Sequence, residues 1–88
     1  MDDKTRIRVF EETSRLLRER RERLGLSMNE VARRTGLAQQ TVSFVERGMR
    51  MPTLDTLLRI TGALDLDLWM VLREAGESSR NPRRGLGA

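Results

Sequence analysis

The chain has 88 residues, with 17 Lys+Arg against 13 Asp+Glu, no cysteine and no histidine. This length fits one domain, and the two absences exclude a disulfide framework, a thiolate zinc site and histidine-based hydrolase chemistry. A hydrophobic fraction of 38% suffices for a small core, and no apolar run reaches the ~18 residues of a membrane span.

The opening MDDKTRIR has no apolar stretch behind its charges and does not read as a secretory signal, so a cytoplasmic location is expected. From about Lys4 to Leu24, the residues Ile7, Phe10, Leu17 and Leu24 recur at spacings of three and seven. This predicts an amphipathic helix, with Gly25 as its stop. Its first half, with Ile7, Val9 and Phe10, needs a surface to pack on, which a dimer partner or the C-terminal segment would supply. The run RERRER at 18–23 alternates in sign and reads as ion pairs along the helix surface. Ser27 and Glu30 have the spacing of a capping box and open a short helix, Met28–Thr35, with Val31 and Ala32 inward and Gly36 as its stop. Arg33 and Arg34 read as its solvated face.

Gln39–Arg47 forms the next short helix, with Val42 and Val45 inward and Gly48 as its stop. Pro52 and Thr53 open a fourth, in which Thr53 is the N-cap and Leu54, Leu57, Leu58, Ile60 and Leu64 are the apolar positions. Gly62 inside it costs about 1 kcal/mol relative to alanine. After Asp65 two readings compete. With Asp67 as N-cap, Leu68, Val71, Leu72 and Ala75 fall on one helical stripe that Gly76 ends. Read with period two, Leu66, Leu68, Met70 and Leu72 face one way, as in a short strand. The caps and the spacing agree on the helix, which is the preferred reading. The folded domain is thus expected over residues 1–76. Residues 77–88, polar and carrying Arg80, Arg83 and Arg84, read as a disordered basic tail.

The informative stretch is LSMNEVARRTGLAQQTVSFVERG at 26–48: two short helices joined through Gly36-Leu37-Ala38, the spacing of a helix-turn-helix. Small Ala32 permits close approach of the two helices and Leu37 plugs their corner. The outer side of the second helix then presents Gln39, Gln40, Ser43 and Phe44, a pattern that no core explains. The expected fold is all-α, a compact five-helix bundle around this motif, with a short C-terminal strand at a dimer interface as the alternative for the last segment.

The motifs LGLS at 24–27, EVARRTGL at 30–37, VERG at 45–48 followed by Pro52, and TLLRI with AL at 56–64 occur in this order and spacing. Together they resemble the Xre/Cro-like, phage-repressor family of DNA-binding domains, lambda-repressor-like in fold, from about Leu16 to Leu72. The resemblance implies a recognition helix in the major groove. There Gln39, Gln40, Ser43 and Phe44 would read bases, with glutamine suited to adenine and the Phe44 ring to a thymine methyl. It further implies phosphate contacts from Ser27, Arg47 and Arg50, which orient without specifying sequence. Arg21 and Glu46 match a buried pair that ties the first helix to the recognition helix. Two positions depart from the pattern: Ala38 replaces a capping Ser or Thr, and Met28 replaces a glutamine that commonly bridges phosphate and recognition helix.

The implied function is a sequence-specific transcriptional regulator, a repressor that binds a pseudo-palindromic operator as a homodimer through Leu68, Trp69, Met70 and Leu72. The segment PTLDTLLRI with ALDLDLWMVL also resembles Hip-type antitoxins, whose final strand pairs across a dimer. That resemblance implies a kinase toxin as protein partner. The carboxylate pairs Glu11/Glu12 and Asp65/Asp67 come with no glycine-rich phosphate loop and no histidine, so neither an enzyme nor a cofactor is expected.

Overall fold

The computed structural model describes residues 1–80, which form five helices: α1 (Asp3–Arg23), α2 (Met28–Thr35), α3 (Gln39–Glu46), α4 (Leu54–Ala63) and α5 (Leu68–Arg80). Among the described residues there is no strand, so the period-two alternative for 66–72 is not adopted. The antitoxin-like pairing that went with it has no structural counterpart. Among the described residues no helix is long and apolar enough to cross a membrane.

The helix ends follow from local chemistry. Asp2 accepts from the Thr5 amide, Ser27 from the Glu30 amide and Thr53 from the Thr56 amide, so α1, α2 and α4 each begin on a side-chain cap. At Ser27 the box is complete, because the Glu30 carboxylate also accepts from the Ser27 amide at 3.0 Å. After α2 the backbone turns through Gly36 at φ +76°, a left-handed conformation that glycine adopts without a Cβ penalty. After α4 a non-glycine residue does the same: Asp65 sits at φ 57°, and the Leu66 amide closes back onto the Thr61 carbonyl.

The core gathers Leu17 of α1, Val31 and Ala32 of α2, Val42 and Val45 of α3, Ile60 and Leu64 around α4, and Val71 of α5. Each such aliphatic side chain contributes about 1.5–3 kcal/mol by leaving water, alanine less. Leu37 packs partly buried at the edge of this core, as does Met28, which explains an apolar residue where a glutamine was the family expectation.

The most extensive helix pairing is α1 against α5, so the C-terminal segment covers the first helix. Thr13, Ser14 and Leu17 of α1 and Val71, Ala75 and Ser79 of α5 are buried. Packing on α1 also overrides the expected stop at Gly76. The backbone keeps a helical φ there, and α5 runs on to Arg80, so the first four residues assigned to the tail are helical. The remainder of that tail, 81–88, lies outside the described residues. Two apolar expectations on α4 are also corrected: Leu54 and Leu58 are exposed, whereas Ile60 and Leu64 are buried as expected and Thr61 joins them. Ile7 and Leu24, read as core positions of α1, are likewise half-exposed near its two ends.

Candidate nucleic-acid interface

Helix α3 has the sequence QQTVSFVE, and its inner side is filled by Val42, Val45 and Glu46, all buried. Helical geometry then places Gln39, Ser43 and Arg47 on one ridge and Gln40 and Phe44 on the next. Gln39, Gln40 and Arg47 are exposed and Ser43 is half-buried. The two amides at the start of the helix project from a first turn that has no side-chain cap, since Ala38 supplies none. Those free backbone amides and the helix dipole favour negative charge nearby.

Phe44 corrects the sequence reading. It is half-buried, not fully outward, and sits against the 50–53 loop and Thr56. The Arg50 guanidinium lies 4.6 Å over its ring centroid, a cation–π contact worth about 0.5–1 kcal/mol at an exposed site. The ring thereby anchors the loop that carries Arg50 to α3. Ser27 is exposed at the start of α2, with its hydroxyl oxygen occupied by the cap.

The back of α3 is held from α1. Arg21 Nε donates to Glu46 Oε2 at 2.7 Å, with side chains 14% and 4% exposed, and its Nη1 donates to the Leu26 carbonyl at 2.8 Å. The Glu46 carboxylate holds the Arg21 guanidinium above its ordinary pKa. Arg18 adds a bond from its Nη1 to the Glu46 carbonyl at 3.3 Å.

The RERRER run therefore acts differently from the surface pairing expected of it. Arg20 reaches the Leu64 carbonyl at 3.0 Å, at the end of α4, so three arginines of the run cross to other parts of the fold. Glu19 pairs instead with Arg15, one turn earlier. Sequence reasoning missed Arg18, Arg20 and Arg59, the last of which donates to the Thr35 carbonyl at 3.1 Å. Their signal was weak, because an arginine on a charged helix looks the same whether it pairs locally or reaches a distant carbonyl.

Away from α3, Trp69 is 68% exposed and lines a shallow apolar groove with Leu58, Leu66 and Leu72. Of the residues expected at a dimer interface, Leu68, Trp69 and Leu72 line this groove, and Met70 is exposed. Leu68 is only 7% exposed and packs mainly inward.

The helix-turn-helix family profile matches residues 17–68, the stretch that holds both short helices, the buried ion pair and α4. The chain belongs to the helix-turn-helix family. It is 34% identical over 71 residues to the uncharacterized HTH-type transcriptional regulator y4dL of Sinorhizobium fredii, a match covering 81% of this chain and 36% of that protein. The match thus spans about a third of that relative's length, and 43% of a mycobacterial one. Among solved structures, the restriction-modification controller protein C.AhdI of Aeromonas hydrophila is 34% identical, with a TM-score of 0.67 over 70% of this chain and 94% of its own. The clp gene regulator ClgR of Corynebacterium glutamicum is 25% identical, with a TM-score of 0.75 over 90% of this chain and 86% of its own. The phage-repressor-like family resemblance and the all-α architecture are thus established.

Proposed function

We propose that this chain is a sequence-specific DNA-binding unit of a cytoplasmic transcriptional regulator, a repressor that occludes a pseudo-palindromic operator as a homodimer. The observation that carries the reading is the outer side of α3, where Gln39 and Gln40 stand exposed on a helix whose opposite side is locked into the core. Glutamine can donate to N7 and accept from N6 of adenine at once, which a solvated surface does not require. Ser43 extends the reading surface by one turn, and Phe44 offers the exposed part of its ring to a thymine methyl. Ser27, Arg47 and Arg50 hold phosphates to either side, with Arg50 pre-oriented by its stack on Phe44.

One short recognition helix makes few base contacts, so a two-fold dimer is needed to double them. The groove beside Trp69, Leu58 and Leu72 supports that assembly by offering apolar surface that the monomer leaves wet. Half-sites would then lie about 34 Å apart, one turn of the duplex. The names of the relatives, regulators and a controller protein among them, fit this role.

Selection of bound duplexes from a random pool, followed by gel shifts across a salt series, tests the proposal. Enrichment of a two-fold symmetric sequence is expected, with affinity falling steeply as salt rises. Replacing Gln39 and Gln40 together by alanine should cost the selected duplex about tenfold to a hundredfold in affinity, the order of one or two lost base contacts. An affinity that ignores both salt and the double substitution would refute the assignment.

A further inference from the structure

Helices α1, α2 and α4 begin on side-chain caps, whereas α3, which carries the reading residues, begins on Ala38 with none. The pose of Gln39 and Gln40 therefore depends on the corner that leads into them. That corner is braced from two directions. Thr35 Oγ1 donates to the Val31 carbonyl at 2.8 Å and accepts from the Leu37 amide at 3.2 Å, tying the turn to α2. The Thr35 carbonyl in turn accepts from Arg59 Nη1 at 3.1 Å, a donor supplied by α4. The guanidinium lies over the corner glycine: a Cβ placed on Gly36 would meet Nη1 at 3.7 Å. Asp55 Oδ2 accepts from Arg59 Nε at 2.9 Å one turn earlier on α4, so the fork is held at both ends.

Neither Arg59 nor Asp55 has a place in the proposed contact surface, and the bond they make falls at the C-terminus of α2, where an arginine complements the helix dipole. We infer that Arg59, oriented by Asp55, is a positioning residue for sequence reading. It fixes the Thr35–Leu37 corner and thereby the aim of the uncapped first turn of α3. The inference rests on the DNA-binding reading above and concerns discrimination between sequences rather than binding as such. A residue of this kind acts on the base contacts alone, because phosphate contacts tolerate a small tilt that a bidentate amide pair does not.

The test compares affinities for the duplex selected by the wild-type chain and for a scrambled duplex of equal length, each across a salt series. Arg59→Ala should lower affinity for the selected duplex about tenfold, the scale of one degraded base contact. Affinity for the scrambled duplex and the slope against salt should stay as in the wild type. Arg59→Lys, which can reach the Thr35 carbonyl but cannot also bind Asp55 through a planar fork, should restore part of the ratio. Asp55→Ala, an exposed change that spares the core, should give an intermediate loss and decides the matter if Arg59→Ala fails to fold. Parallel losses on both duplexes with a shallower salt slope would make Arg59 a phosphate contact and overturn the inference. An unchanged ratio in Asp55→Ala and in the folded Arg59 variants would overturn it as well. Failure of the wild-type chain to select any sequence would instead overturn the DNA-reading proposal, and this inference with it.

Discussion

At the scale of single residues, the Arg21–Glu46 pair shows how unequal burial decides which partner matters more. Glu46 is 4% exposed and Arg21 14%, so a carboxylate stripped of its arginine stays in a poorly solvated site, whereas the arginine can turn partly toward water. Arg21→Ala should therefore destabilise the fold by about 3–5 kcal/mol, read as a shifted urea midpoint, and Glu46→Ala by less. Replacing both by well-packed apolar residues should recover most of that loss, since a buried pair contributes little net stability over an apolar equivalent. The pair was legible from motif resemblance alone, because residues 25 apart carry no local signal of contact. Phe44 was only half legible. The inward Val42 and Val45 correctly excluded it from the centre of the core, but nothing in the local pattern announced that Arg50 and the loop would fold over it.

At the scale of elements, end signals did most of the work. Gly25, Gly36 and Gly48 all adopt positive φ and all mark the close of a helix, as their place after apolar periodicity implied. Ser27 with Glu30 forms the capping box that its spacing demanded. Gly76 misled, because Ala75 and Ser79 are buried and carry the helix past it; tertiary packing outweighed a propensity cost of about 1 kcal/mol. Two predictions belong to this scale. Ala38 has the extended backbone of an N-cap without the side chain, so Ala38→Ser should stabilise the protein by about 1 kcal/mol in urea denaturation. The Glu30 carboxylate is held below its ordinary pKa of 4.5, first by the Ser27 backbone amide and then by the Ser27 side chain. A group more acidic when folded lends its full stabilisation above the unfolded pKa and loses it as pH falls through the folded value. Thermal melts should thus show Tm dropping as pH falls below about 4.5, less steeply in Glu30→Gln, where the titrating group is gone.

At the scale of the whole molecule, the distribution of apolar surface sets one side of the bundle apart. Leu58, Trp69 and Leu72 stay exposed in the monomer, although periodicity puts Leu54 and Leu58 among the apolar positions of α4. Periodicity records that a side is apolar but not whether its cover comes from within the chain. Trp69→Glu should convert the assembled form to monomer in sedimentation velocity while leaving the helical circular-dichroism signal intact, because the residue is exposed and contributes little to the core. Affinity for a two-fold duplex should fall with it, whereas binding to an isolated half-site should persist.

The pairing of α1 with α5 has a consequence in time as well as in space. Ser78 donates to Glu12 across 66 positions of sequence, and the buried side of the opening rod finds its cover in the closing one. Loop closure on that scale carries an entropic cost that nearby contacts avoid. A nascent polypeptide leaving the ribosome must therefore leave the α5-facing side of α1 in water until the far rod has emerged. The helix-turn-helix can curl up early, since α3 takes its brace from α1 and α2, whereas the α1–α5 side closes only when the two ends of the bundle meet.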